Sequence, residues 1–221
     1  MRNFRMNKLM FTISATAVSS LLAVGSASAD FTGMQFENVE NNLAGLTTVR
    51  VYAGVSVGGE VDAVYGDGTN ALTISSNSGF YQNQFGGYGT PSAALFGFFP
   101  SLEFDSFVTI GLLNDSGDAM LDIGIDWAGF NAGGDISTSN GTWFATPSDA
   151  QVMEVGGRVL IGQFTVNDGD SVFGSVNLQG KNADLSNWNA DGVAFDSAPI
   201  PAPGAIALLG LAGVAARRRR K

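Results

Sequence analysis

The sequence predicts an all-β body, folded as a two-sheet antiparallel β-sandwich. Apolar residues recur there with a period of two, and clusters of Gly, Asn and Asp interrupt them at short intervals. Helical periodicity is almost missing between residues 30 and 198. Residues 92–99 and 148–153 are each long enough for only a turn or two, the second opened by Pro147, Ser148 and Asp149.

Residues 47–57 are the clearest strand, because Val49, Val51, Ala53, Val55 and Val57 alternate with Thr48, Arg50, Tyr52, Gly54 and Ser56. The valines belong on the buried face. Gly58 and Gly59 turn the chain into 61–65, and Gly66-Asp67-Gly68 turns it again before 72–75, the pattern of a meander. A long strand is expected over 104–113, returning antiparallel over 120–127 after the turn Asn114-Asp115-Ser116-Gly117. In the return strand Leu121, Ile123, Ile125 and Trp127 share one face and Asp122, Gly124 and Asp126 the other, as a sheet with one wet side requires. Residues 158–166 and 171–178 read as a hairpin closed by Asn167-Asp168-Gly169-Asp170. The expected shared core is Val49, Val51, Val55, Leu121, Ile123, Ile125, Leu160 and Phe164. About nine or ten strands at this spacing imply a two-sheet sandwich, and the strand order is similar to jelly-roll and cohesin/Ig-like modules.

The two ends differ from the body. Arg2, Arg5 and Lys8 precede an apolar stretch from Leu9 to near Val24, followed by Ala27-Ser28-Ala29. A basic start, an apolar run and an A-x-A site are the parts of a secretory signal, with cleavage between Ala29 and Asp30. Residues 1–29 are therefore expected to form a signal helix cut by signal peptidase. At the other end Pro199, Pro201 and Pro203 lead into the apolar run 204–216, closed by Arg217, Arg218, Arg219, Arg220 and Lys221. As a helix that run covers about 20 Å, against a hydrocarbon core of about 30 Å, which makes it a short, transient tether. The terminal cations stay on the cytoplasmic side. The chain divides into a signal (1–29), a β-sandwich domain (30–198) and a tail (199–221).

Pro201, Ala202, Pro203 and Gly204, the apolar run and the Arg cluster resemble the PEP-CTERM sorting tail of exported bacterial proteins. Ala202 stands where the family's motif has Glu. The resemblance covers about the last tenth of the chain and implies a second partner, an exosortase-type membrane transpeptidase that cuts near the Pro-Ala-Pro segment. It also implies a membrane-tethered precursor whose body ends at the cell surface or outside the cell.

Composition narrows the chemistry. The body has twenty acidic residues against Arg50, Arg158 and Lys181, a formal charge of −17, which repels nucleic acid and anionic membrane. Cysteine and histidine are both absent, so no thiolate or imidazole holds a transition metal and no Ser-His-Asp or Cys-His couple exists. No catalytic residue and no bound cofactor is expected beyond weak calcium binding at the acidic turns, where Asp115 with Asp118, Asp168 with Asp170, and Asp67 beside Asn70 offer oxygen ligands. Those residues are also the ordinary occupants of turns. Asn114-Asp115-Ser116 and Asn140-Gly141-Thr142 match a glycosylation pattern and are most simply turns as well.

The expected role is a non-enzymatic, structural or binding β-sandwich at the cell surface or in the extracellular matrix. One alternative is a carbohydrate-binding module for extracellular polysaccharide, for which Trp127, Phe130, Trp143, Phe144 and Trp188, with Tyr52, Tyr81 and Tyr88, are the stacking candidates. Core packing competes for the same aromatics. The other is a glycan-cleaving enzyme, which needs two close carboxyls in a cleft.

Overall fold

Among the described residues, 31–198 of a computed structural model, eleven strands form two antiparallel sheets packed face to face. The signal and tail residues, with their cleavage and sorting positions and their expected helices, lie outside the described residues. Strands are numbered in chain order. The smaller sheet contains β1 (Phe31–Val39), β2 (Leu46–Val55), β5 (Phe107–Val108) and β9 (Arg158–Asn167), in the order β1-β2-β9-β5. The larger contains β3 (Ala63–Gly66), β4 (Leu72–Ser76), β6 (Leu121–Ile123), β7 (Ile136–Thr138), β8 (Gly141–Phe144), β10 (Val172–Lys181) and β11 (Asn187–Asp196).

The inward faces follow the alternation of the sequence as far as Val55; Val57, expected on the same buried face, lies past the end of β2 and is 83% exposed. Val49, Val51, Ala53 and Val55 of β2, with Phe164 and Val166 of β9, meet Val64, Leu72, Ile74, Trp143, Val172, Val176 and Leu178 of the larger sheet in one buried cluster. Burying each large aliphatic side chain contributes about 1.5–3 kcal/mol, so this cluster is the main favourable term of the fold.

The larger sheet has one irregular feature that positions its outer face. Along one edge of β10, Tyr65, Val64 and Ala63 pair with Asn177, Leu178 and Gln179, while Ser76, Ser75, Ile74 and Thr73 pair with residues 172–175. β3 and β4 are thus two halves of one row, and β11 takes the opposite edge. Residues 67–71 leave the row as a loop. Asp67 closes it, because its Oδ1 accepts from the Thr69 and Asn70 amides at 2.8 and 2.7 Å. The buried Asn177 completes the closure: its Nδ2 donates to the Asn70 carbonyl at 2.9 Å and its Oδ1 accepts from the Gly192 amide at 2.7 Å. At Gly66 a Cβ would lie 2.3 Å from the Thr138 carbonyl oxygen, so the pinch requires glycine.

Several expected pairings are corrected. The 104–113 and 120–127 segments do not form a hairpin; only Phe107–Val108 and Leu121–Ile123 are strands, the first on β9 and the second on β8 in the other sheet. β9 and β10 are not a hairpin either. β2 and β5 flank β9, while β3, β4 and β11 flank β10, so the 167–170 turn is a corner between sheets. That corner is held by Asp168, whose amide donates to the Gly45 carbonyl at 3.0 Å and whose Oδ1 accepts from the Thr47 hydroxyl at 2.7 Å. The meander is also broken, since the Gly58-Gly59 turn carries the chain from the smaller sheet to the larger.

Two expected core residues face outward. Leu121 is 59% exposed and Ile123 is 66% exposed. The reason is Asp122, which takes the side of the sheet occupied by its cross-strand partner Trp143 and accepts from Trp127 Nε1 at 2.9 Å and from the Tyr88 hydroxyl at 2.9 Å. A carboxylate satisfied by two donors outweighs the aliphatic alternation here. Ile125 is partly buried against the core, as expected. Leu160 is buried, but beside its cross-strand partner Tyr52 rather than in the inter-sheet cluster.

Candidate functional site

The outer face of the larger sheet carries an exposed shelf. Because directly paired residues of an antiparallel ladder point to one side, Tyr65, Thr142 and Ile123 form one row across β3, β8 and β6, and Gln179, Ala63, Phe144 and Leu121 form the next. Val64 and Trp143, one position along, point into the core. Tyr65 and Phe144 are thus diagonal neighbours, both partly exposed.

Beside them lies a surface trough of about 450 Å³, lined by Ala63, Tyr65, Asp67, Ile123, Asn140, Thr142 and Gln179, with Gly66, Gly124 and Gly141 in its floor. Gly124 has φ +75°, and a Cβ there would lie 2.2 Å from the Asn140 carbonyl oxygen, so the β6 and β7–β8 backbones close up only because the residue is glycine. The Tyr65 hydroxyl donates to Asp191 Oδ1 at 2.7 Å. Partial burial, then the Asp191 hydrogen bond and charge, push its phenol up to about 12. Asp67 is held below the usual carboxylate range by the Asn70 and Thr69 amides and stays ionised. The trough is therefore an apolar and amide surface that carries acidic groups, Asp67 in its lining and Asp191 on Tyr65, with no cationic group in its lining.

The expected aromatic candidates separate cleanly. Trp143, Phe130, Trp127 and Trp188 are buried, in the order 0%, 1%, 8% and 7% exposed, and all four belong to the core cluster. Trp143 Nε1 donates to the Thr109 carbonyl at 3.1 Å. Tyr88 stacks on Trp127 with ring centres 4.5 Å apart. Tyr52 lies under the Arg158 guanidinium at 3.8 Å and donates to Glu37, and Tyr81 accepts from Asn83 Nδ2 at 3.2 Å. Of the eight, Phe144 alone is on the shelf. Its companion Tyr65 was missed, although its position two residues after Ala63 on a short alternating strand is a readable signal.

Two carboxyls do come together, at Glu60 and Asp62, but they are buried, with exposures of 3% and 6%. Burial first, then the charge of Glu60 and a hydrogen bond with it, push Asp62 up to about 6, while Lys181 opposes the shift. Glu60 Oε2 accepts from the Ser148 amide at 3.0 Å, and the Val61 amide donates to the Val152 carbonyl at 3.0 Å. Glu60 and the Val61 backbone fasten the 146–153 segment to the sheet. Cleaving a glycan needs both carboxyls within reach of a sugar ring, which this burial opposes.

The acidic turns use their carboxylates within the fold, mostly to tie down segments distant in sequence. Asp115 Oδ1 accepts from the Ala93 amide at 3.0 Å, Asp118 accepts from the Thr90 hydroxyl and the Met120 amide, and Asp168 accepts from Thr47. Only the Met120 bond is one of turn formation; the others join separate segments of the chain. Among the described residues no group of three or more acidic side chains is placed to surround one ion.

No protein-family model, curated protein or solved structure matches this chain.

Proposed function

We propose that this chain is an exported protein of the bacterial cell surface or extracellular matrix, with a non-catalytic β-sandwich that has a structural or binding role. On this reading signal peptidase removes residues 1–29, and an exosortase-type transpeptidase handles the tail at Pro201, Ala202, Pro203 and Gly204. The 204–216 run forms a short helix, and Arg217 to Arg220 hold its end in the cytoplasm until processing. Within the all-β class, the sandwich is of the jelly-roll or cohesin/Ig-like kind. Calcium binds weakly at the acidic turns, if it is supplied.

The observation that carries the binding role is the shelf, where Leu121 and Ile123 stand in solvent beside Tyr65 and Phe144 on an otherwise well-filled sandwich. Large apolar groups held outward on regular strands mark an interaction face. Burial keeps the Glu60–Asp62 pair itself out of reach of a sugar ring.

Amino-terminal sequencing and cell fractionation test the delivery. The exported form should begin at Asp30, and deletion of residues 201–221 should release soluble protein with an unchanged circular dichroism spectrum. Recovery of Met1 on exported material, or a tail-less protein that stays with the membrane, overturns the reading.

A further inference from the structure

The shelf and its trough say more than that something binds, because their chemistry selects among ligands. Three properties decide it. The trough volume of about 450 Å³ lies in the range of small-molecule and short-oligomer sites, about 300–1,000 Å³. Its lining mixes the phenol of Tyr65 and the aliphatic Ile123 with the side-chain amides of Asn140 and Gln179 and the Thr142 hydroxyl. Neither Lys nor Arg lines it, while the Asp67 carboxylate does, and the Asp191 carboxylate adjoins it by accepting from the Tyr65 hydroxyl at 2.7 Å.

An anionic ligand meets unfavourable charge at this place, and a wholly apolar one leaves the amides and carboxylates unpaired. A ligand with apolar ring faces and many neutral hydroxyls satisfies both halves. Its rings lie on aromatic and aliphatic side chains, and its hydroxyls donate to carboxylates and exchange hydrogen bonds with amides. The shelf is also open along the β6 edge of the sheet, past Ile123 and Leu121, so a chain longer than the trough continues over exposed aliphatic surface.

We infer that the outer face of the larger sheet, with Tyr65 and Phe144 as its aromatic contacts and Asn140, Thr142 and Gln179 as its polar ones, binds an uncharged polysaccharide. This inference rests on the binding role proposed above. It places recognition away from the tryptophans, all three of which serve the core.

Affinity electrophoresis of the full exported protein tests it, in native gels cast with hydroxyethylcellulose, glucomannan or dextran as neutral probes and alginate as the anionic one. Retardation is expected in at least one neutral gel, unaffected by 0.5 M salt, and absent from alginate. Tyr65→Ala should weaken it at least tenfold. Ile123→Ser, which changes a solvent-facing side chain, should weaken it several-fold while leaving the fold intact, so the test survives if Tyr65→Ala fails to fold. Phe98→Ser, at an exposed site outside the trough, should leave binding unchanged.

Lack of retardation in all three neutral gels, or equal retardation in alginate, overturns the inference. So does a dimer, measured by light scattering, that Ile123→Ser dissolves, because the shelf then belongs to a second copy. A protein that still adheres to the envelope of its own cells through the shelf, without neutral-glycan retardation, refutes the ligand and leaves the binding role standing. Loss of neither on shelf substitution refutes both.

Discussion

The outer faces of the two sheets break the same rule in opposite directions. On the smaller sheet, polar residues are buried: Thr48, Gln163 and Thr165 are completely covered. The cover is the 103–106 stretch. Gln163 Nε2 donates to the Glu103 and Asp105 carbonyls at 2.9 and 3.1 Å, and the Thr165 hydroxyl donates to the Phe104 carbonyl at 2.6 Å. On the larger sheet, Leu121 and Ile123 are exposed with nothing laid over them. A polar outer face was given a backbone to bind within the same chain, and an apolar outer face was left open. The first arrangement consumes its hydrogen-bonding capacity internally, whereas the second keeps its apolar surface available to something else.

Removing the internal partner is the severest way to break that comparison. Gln163→Ala removes the Nε2 that serves the Glu103 carbonyl and the buried Asp105 carbonyl and opens a void, while Arg50 Nε loses the Oε1 acceptor it holds at 3.0 Å. The expected cost is about 2–4 kcal/mol, read as a lower denaturation midpoint with an unchanged slope. A midpoint within experimental error of the parent would mean that the 103–106 cover contributes no stability through this side chain.

A smaller effect follows from pH. Asp105 is completely buried, and a Cβ at Gly86 would lie 1.6 Å from its Oδ2, so only glycine leaves room for the carboxyl. Its burial outweighs the Asn83, Gly87 and Ser106 amides and pushes it up to about 6, as burial and Glu60 do for Asp62. A folded-state value above the unfolded one means that stability is fully present below about pH 4 and is lost as pH rises through about 6. Glu37, Asp67, Asp115, Glu154 and Asp184 are shifted downward and titrate below this window. Between pH 7 and pH 5 stability should therefore rise, by about 1 kcal/mol from Asp105. Thermal melts across that range check the sign. Asp105→Asn should flatten the profile, and a profile that falls toward pH 5 would contradict the burial of both acids.

Legibility differed between the two faces for a physical reason. The inward alternation of β2 was readable because valine at every second position has one consistent solution. Sheet membership was not, since Asn167-Asp168-Gly169-Asp170 suits a hairpin and a corner equally; the decision came from Thr47 and Gly45, distant in sequence, which bind Asp168. The shelf was misread for a related cause. Leu121, Ile123, Ile125 and Trp127 alternate as a buried face should, but Trp127 lies beyond the strand and sends its Nε1 back to Asp122. That hydrogen bond inverts the three-residue strand. The shorter the strand, the less hydrophobic area its register has at stake, and the more easily one hydrogen-bonded, half-buried carboxylate decides it.

The smallest expected effect sharpens the comparison most. If Ile123 lay in the core, truncating it would cost several kcal/mol through lost burial and a residual cavity. At 66% exposure the side chain has little burial to lose, and its cross-strand partner Thr142 keeps its hydroxyl bond to the Val64 carbonyl at 2.9 Å whether or not the isoleucine is present. Ile123→Ala should accordingly change stability by no more than about 0.5 kcal/mol, the ordinary range for a surface substitution. Denaturant unfolding of the purified protein measures it directly. A loss of 2 kcal/mol or more would restore Ile123 to the inter-sheet core, turn Asp122 outward and remove the shelf, and with it the binding face that distinguishes the larger sheet from the smaller.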